Sequence, residues 1–271
     1  MIIKNDVLVS HCDDPRIIPC IEQFSSMLTD HPSTLQPFRG IAEGIRDISA
    51  SYGFQLYSTV KKTTLFYDRA ADCFLKILQP LSLKHRIRFL VAYGAERLYK
   101  LSLRLRSAGV KVPRVLAHGA IRKGRKPFFV IERVAGHSLY DLLIRKGQVL
   151  PHEIYFQIVD KVAALHKLGY WLGDAHIDHV FIEDGEFSGF IDIDSIKKNW
   201  PFRLRNLAKD LARLNYPTLP LRMSERMVLL KYYMRLLGIS NERHFMELVA
   251  RCAASRWAHF ASQRKDTDEH G

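Results

Sequence analysis

A chain of 271 residues with 47% apolar and 25% charged residues can bury a sizeable core and suits one large domain or two lobes. It contains no apolar run of roughly eighteen residues and no basic-then-apolar start, so neither a membrane span nor a secretory signal is expected. The four cysteines lack CxxC spacing, which argues against a zinc site or a disulfide framework and for a reducing cytoplasm, while the net charge of +13 calls for an anionic partner.

Residues 1 to 47 carry weak helical spacing between Ile17 and Leu28 and a turn at Asp30-His31-Pro32-Ser33, and read as an extension packed on the first lobe. From Gly53 the chain turns to strand. Phe54 to Tyr57 alternates, Ser58 to Lys62 reads as a connection, and Thr63 to Tyr67 is rich in β-formers. After the turn at residues 68–72, Cys73 to Leu78 is a short apolar strand with Lys76 in its middle. A lysine there either snorkels to the surface or meets an acid or a phosphate. Residues 84 to 107 read as one long helix closed by Ala108-Gly109 and Pro113.

The charge is concentrated here. From Lys84 to Lys126 there are thirteen Lys and Arg against one acid, Glu96, a balance of +12. Such a face attracts nucleic acid, acidic lipid headgroups or a phosphorylated glycan, unless acids from elsewhere balance it. Glu96 can pair with Lys100 four residues on, or reach Lys76.

Arg114 to Ile121 and Pro127 to Glu132 give two more strands, and Val134 to Ser138 connects to a helical region. One helix begins at Ser138, and another spans about His152 to Leu168 and ends at Gly169. It leads into Leu172-Gly173-Asp174-Ala175-His176-Ile177-Asp178-His179, an apolar triplet from Val180 to Ile182, an acidic turn, and Phe190-Ile191-Asp192-Ile193-Asp194. That pattern is a loop, a strand, a hairpin turn and a second strand that returns Asp192 to the side of Asp174. Phosphoryl transfer to a hydroxyl needs such a pair, one carboxylate for the acceptor proton and one for the nucleotide's magnesium. Read singly, Asp174 can be a turn cap, His176 a packed supporting histidine, and Asp194 a surface residue or an assisting ligand. Lys197 to Arg205 is a basic segment holding Trp200 and Phe202. Asn206 to Leu214 and Ser224 to Phe260 are helical in period, with a break at Gly238 and a frayed tail from Gln263. Within the latter, Lys231 to Leu237 suits a core helix better than a membrane-surface one.

Strands with Lys76, a helix with Glu96, two strands, a connector, helices and the Asp174–Asp192 string together resemble the protein-kinase-like fold. The likeness is to the bacterial lipopolysaccharide core kinases, which phosphorylate heptose or Kdo sugars. The resemblance covers roughly residues 50 to 215 and rests on the GDxH run at Gly173–His176. It implies an α+β, two-lobed fold, with a small antiparallel β lobe bearing one long helix and a larger, mostly helical lobe. The expected division is an extension at 1–47, a nucleotide-binding lobe at 48–134 and a catalytic lobe at 135–271.

By the same resemblance, Asp174 is the catalytic base, and Asp192 with His179 holds Mg2+. Lys76, held by Glu96, contacts the ATP phosphates, and Glu132 to Val134 meet the adenine through backbone groups. His179 stands where an asparagine is usual, though some lipopolysaccharide kinases carry histidine there. Asp194 replaces the glycine of the DFG motif, Phe74 stands where alanine is favoured, and no glycine-rich loop is present. Ser58, Thr59, Lys61 and Lys62 are the substitutes for that loop. The implied function is an ATP- and Mg-dependent kinase of a sugar hydroxyl in lipopolysaccharide core. The implied location is cytoplasmic, with peripheral contact at the inner-membrane surface through the basic helix and Lys197 to Arg205. A non-catalytic kinase-like module binding an anionic partner, or a kinase for a protein or other small molecule, are the alternatives. No nucleic-acid partner is expected, since no recognition motif accompanies the charge.

Overall fold

The computed structural model describes residues 2–4, 7–31, 42–60, 63–79, 94–121 and 126–268. The chain divides into two compact units, one of Met1–Ser107 with Pro113–Arg133 and one of Ala108–Val112 with Val134–Gly271.

The first unit is built on a sheet of seven strands: β1 (Ile2–Lys4), β2 (Val7–Cys12), β3 (Phe54–Val60), β4 (Thr63–Asp68), β5 (Cys73–Leu78), β6 (Val115–Ile121) and β7 (Lys126–Glu132). Their order is β1-β2-β6-β7-β5-β4-β3, and every pair is antiparallel. Side chains alternate across a strand, so Cys73, Leu75 and Ile77 enter the core while Phe74 and Lys76 take the other face. The core-side face is covered by helix α1 (Ile18–Asp30), which buries Cys20, Ile21, Phe24, Met27 and Leu28 at three- and four-residue spacing. Phe24 lies 5.8–6.4 Å from the rings of Phe54, Phe66 and Phe128. Helix α2 (Ala42–Ser51) adds Ile45 to the same core. On the other face, helix α3 (Ala95–Ser107) packs Leu98 against Leu78, Val115 and Phe129. Lys76 sits opposite Phe129 across the β5–β7 ladder, so it shares this face with α3.

Several elements differ from expectation. Residues 7–12, read only as part of an extension, add a strand to the sheet, while the weak helical spacing between Ile17 and Leu28 is borne out by the helix Ile18–Asp30 in its core. Ser58 to Val60, read as a connection, prolong β3 across a bulge after Leu56. Of the expected helix at 84–107, residues 84–93 lie outside the described residues, as do Lys61, Lys62 and most of the basic turn at 122–126.

The second unit holds β8 (His137–Ser138), a π-helical turn at Asp141–Arg145, helix α4 (His152–Lys167), β9 (Tyr170–Trp171), β10 (Val180–Glu183), β11 (Glu186–Phe190) and β12 (Lys197–Lys198). Helices α5 (Leu204–Leu214), α6 (Met223–Leu237) and α7 (Glu242–Asp268) come next, and α7 runs on through the tail expected to fray. The helix expected from Ser138 follows directly on it: residues 139 and 140 are helical and run on into that π turn. Ser138 is engaged in the ladder with Phe181, and its Oγ accepts the Asp141 N–H at 3.1 Å. Strands β10 and β11 close on Asp184-Gly185, both with positive φ, the backbone a two-residue hairpin turn requires. Among the described residues no helix is long and apolar enough to cross a membrane. An antiparallel sheet with helix α3, among the described residues, between β5 and β6, followed by a mostly helical unit, is the α+β, protein-kinase-like architecture expected.

Arg226 on α6 ties the segment between α5 and α6 to the helices. Its guanidinium donates to the carbonyls of Leu221 at 3.0 Å, Tyr216 at 3.1 Å, Leu219 at 2.9 Å and Pro217 at 3.3 Å, and also to Asn215 Oδ1. All five donors of the fork are used within one loop. Arg226→Met keeps the stem and removes the donors, and is expected to cost about 2 kcal/mol in equilibrium urea unfolding. A wild-type midpoint in that variant would show that water serves the loop carbonyls equally well.

Candidate active site

The second strand does return Asp192 to Asp174. Ligand atoms of Asp174, His179 and Asp192 all lie within 4.8 Å of one another, with Asp174 exposed and the other two half-buried. The backbone explains the convergence. The His179 carbonyl accepts the Ile191 N–H at 3.0 Å, extending the β10–β11 ladder to the residue before Asp192. Asp192 then adopts φ 60° and ψ 49°, a left-handed conformation rare for a residue with a side chain and frequent at functional sites.

The loop before it is equally constrained. Gly173 has φ +74°, and a Cβ there would lie 2.3 Å from the Ser195 carbonyl oxygen. Glycine is therefore the residue that fits. Ser195 Oγ lies 2.8 Å from the carbonyls of both Leu172 and Asp192, and links the two carboxylate-bearing segments. β9 and β12 pair antiparallel on either side of these turns.

Beneath the loop is a buried polar chain. Asp210 on α5 has no solvent exposure, and its carboxylate accepts the backbone N–H of Leu172 at 2.5 Å and of Gly173 at 3.2 Å. It also accepts His166 Nε2–H at 3.1 Å, and His166 Nδ1 accepts the Tyr233 hydroxyl at 2.5 Å. Burial, and the Asp210 carboxylate nearby, push the Tyr233 hydroxyl far up from the ordinary tyrosine range, so it remains a donor. One turn beyond Asp210, Arg213 donates to the Gly173 carbonyl and lies 3.4 Å from Asp174 Oδ1. Both peptide groups flanking Gly173 are thus held by α5.

His179 is oriented as a ligand. Its Nδ1 donates to the Asp174 carbonyl at 2.9 Å, which leaves the lone pair on Nε2. Two carboxylates and such an imidazole fit a divalent cation bound directly or through one of its waters, the carboxylates suiting magnesium. His176 packs between Tyr140 and Tyr216, with centroids at 6.5 and 5.5 Å, and its Nδ1 accepts the Asp178 N–H at 3.3 Å. Burial first, then His179 and Arg256, lower its affinity for a proton, against the opposite pull of Asp178 and Asp174. This is the packed, loop-supporting histidine among the sequence readings.

The remaining expected residues belong to or flank the first unit. Glu96 is exposed and its carboxylate lies 2.6 Å from Lys100 Nζ, which holds it below the usual carboxylate range. This is the i+4 reading; a role in holding Lys76 is not made by that contact. The Glu132 carboxylate accepts from Arg106 Nη1 at 2.6 Å and from the Arg114 N–H at 2.7 Å, and the Glu132 N–H donates to the Arg114 carbonyl at 3.0 Å. Glu132 lies near the end of the first unit and Val134 opens the second. Asp210, His166, Tyr233, Arg213 and Ser195 were not singled out in the sequence. A signal existed for Asp210, a charged residue on the helix face that also carries Leu207 and Leu211.

A glycine-anchored loop carrying one aspartate, a hairpin returning a second, and an antiparallel sheet unit ahead of them define the protein-kinase-like class. The profile of the lipopolysaccharide kinase (Kdo/WaaP) family matches residues 84–233, and the chain belongs to that family. The O-antigen chain terminator bifunctional methyltransferase/kinase WbdD of Escherichia coli is 29% identical over 102 residues, 36% of this chain and 14% of that one. A 3-deoxy-D-manno-octulosonic acid kinase of Vibrio vulnificus is 33% identical over 98 residues, 35% of this chain and 41% of that one. The aligned segment thus spans well under half of either relative. Among solved structures, WbdD bound to a kinase inhibitor superposes with a TM-score of 0.49 at 21% identity, covering 74% of this chain and 45% of that chain. Vaccinia related kinase 3 gives 0.38 at 15%, covering 73% and 72%.

The polar chain makes a ranked prediction. Asp210→Asn exchanges one acceptor oxygen for a donor NH2, leaving one of the two buried N–H groups without its acceptor, and is expected to cost about 2–3 kcal/mol, whereas Tyr233→Phe removes one donor and should cost about 1 kcal/mol. Chemical denaturation of both variants measures this, and the opposite ranking would deny Asp210 its place at the centre of the network.

Proposed function

We propose that this protein transfers the γ-phosphoryl group of ATP to a sugar hydroxyl, on heptose or Kdo, of a lipopolysaccharide core acceptor. The observation that carries the reading is the convergence of Asp174, His179 and Asp192 on a loop whose backbone is fixed by a buried carboxylate. Family membership supports the choice of acceptor. The acceptor oxygen forms a bond to the γ-phosphorus as the bond to the bridging oxygen of ADP breaks, and the hydroxyl proton passes to the Asp174 carboxylate. Arg213, 3.4 Å from Asp174 Oδ1, keeps that carboxylate turned to one side. Asp192 and the Nε2 of His179 are the groups that would hold magnesium, which when bound offsets phosphate charge. Lys76, from the α3 face of the first unit, contacts the nucleotide phosphates, with Glu96 as its partner once ATP is bound. Glu132 and Val134 meet the adenine through their backbone groups, the Glu132 side chain being engaged by Arg106 and Arg114. Catalysis is then mainly alignment and charge neutralisation. The reaction belongs at the cytoplasmic face of the inner membrane, where ATP and a lipid-borne acceptor meet.

The test is transfer of labelled phosphate from ATP to dephosphorylated lipopolysaccharide core. Asp174→Ala is expected to lower turnover by about 10²–10⁴-fold with magnesium-dependent ATP binding retained. Turnover near wild type in Asp174→Ala would remove that residue from its role. Wild-type protein that neither transfers phosphate nor binds ATP with magnesium would be a non-catalytic module. Chelation of divalent cations should abolish transfer, and Asp192→Asn should raise the magnesium concentration needed for half-maximal rate. An unchanged magnesium requirement in Asp192→Asn would count against Asp192 as a ligand.

A further inference from the structure

Between β12 and α5 the chain makes a short loop whose aromatic side chains point outward. Trp200 is 81% exposed and Phe202 57%. Isolated surface aromatics are common, but two within three residues on a fixed loop form a patch. The loop is fixed from inside by Asn199, which is 3% exposed. Its N–H donates to the Gly169 carbonyl at 2.7 Å, and its Oδ1 accepts from Asn206 Nδ2 at 2.9 Å and from the Arg203 N–H at 3.3 Å. Its Nδ2 donates to the Arg203 carbonyl at 3.4 Å. The buried amide thus closes the loop at both ends, and the two rings are presented to water.

The charge along the segment that carries these rings is of one sign. From Lys197 to Lys209 there are five basic residues and no acid. Two of them, Arg205 and Lys209, stand one turn apart on α5 and line an open pocket of about 400 Å³. Arg251, Cys252 and Ser255 on α7 line the other side, so three cations and a hydroxyl face one space that no acid lines among the described residues. That is the chemistry of a phosphate site. Exposed tryptophan flanked by lysine and arginine is the composition of membrane–water interfaces, where the ring sits at headgroup level and each cation gains from anionic lipid. Protein–protein interfaces also use tryptophan and arginine, but they are depleted in lysine, and three of these five cations are lysines.

We infer that this surface docks on an anionic phospholipid bilayer. Trp200 and Phe202 lie among the headgroups, and Arg205, Lys209 and Arg251 receive a lipid phosphate. The surface is joined to the chemistry by the β12–β9 ladder, since β9 leads directly into Gly173 and Asp174. That docking serves to bring Asp174 to a lipid-borne sugar rests on the proposed phosphotransfer; the docking itself does not.

The experiment is flotation of the full chain with vesicles of phosphatidylcholine alone or with phosphatidylglycerol added. Wild type is expected to float only with the anionic vesicles, and less as salt is raised. Arg205→Gln, Lys209→Gln and Arg251→Gln together should lower the partition coefficient roughly a hundredfold, at about fivefold per charge. Trp200→Ser with Phe202→Ser should lower it at least about tenfold, by loss of ring burial at the interface. Lipids brominated in the acyl chain should quench the emission of the wild type more strongly than that of Trp200→Phe. Circular dichroism and magnesium-dependent ATP binding report that each variant is folded. Equal flotation with both vesicle types, or variants that float like wild type, would overturn the inference. So would release from the vesicles by inorganic phosphate at matched ionic strength, which would mark a site for soluble anions. Flotation without any phosphate transfer would sink the kinase reading alone, and transfer to a soluble core without flotation would sink this one alone.

Discussion

The Asp210 carboxylate has no contact with water, and a charge so placed is tolerable only when its lone pairs are used. They are used by the N–H groups of Leu172 and Gly173 and by His166, whose own far side is closed by Tyr233. The loop bearing Asp174 therefore takes its shape from a charge in α5. The dependence is mutual, since without those N–H groups the carboxylate would be stranded. Arg213 on the same helix adds the complementary contact, to the carbonyl of Gly173. A short irregular segment acquires from this the fixity of the helices beneath it, which is what alignment-based catalysis requires.

The metal-binding half is held differently. Asp192 depends on backbone geometry, a positive φ secured by the 3₁₀ turn it begins and by Ser195, which reaches back to Leu172. His179 depends on the carbonyl of Asp174 itself, so a shift of the loop moves base and ligand together. Gly173 is the point where the two halves come closest, its Cα against the Ser195 carbonyl.

How much of this was legible from sequence depends on the range of each interaction. The strand–turn–strand unit could be read because its signals are local: an apolar triplet, Asp184-Gly185, and a second apolar run ending in Asp192. The sheet around Lys76 could be read for the same reason, from the β-formers at 63–67 and the short apolar run of β5. The buried chain could not, because Asp210, His166 and Tyr233 come from three helices and meet across 44 and 67 positions of sequence. Helical period says that a face is apolar, and it does not say which polar residue on that face finds a partner. The β2 strand shows little in the sequence because its apolar run lasts only from Val7 to Val9, with no alternation, before polar residues take over. The helical turn after Ser138 is legible because its signal is local, a serine whose Oγ accepts the Asp141 N–H, whereas the π form of Asp141–Arg145 is not. For Glu96 the bland i+4 pairing with Lys100 describes the carboxylate as it stands.

The division of labour between these groups bears on how such a chain can diverge. The buried carboxylate, its histidine and its tyrosine belong to helix interiors, whereas the loop carrying Trp200 and Phe202 is closed separately by Asn199. Substitutions in that loop leave the hydrogen bonds of Asp210 untouched. A lineage can therefore exchange its outer surface for one suited to another acceptor while inheriting the reactive centre unchanged. The reverse does not hold, because Asp210 cannot be replaced singly without leaving a buried amide of the Asp174 loop unpaired. Residues 200–205 should accordingly answer to the surface on which the protein works, and 166, 173, 210 and 233 to the loop alone.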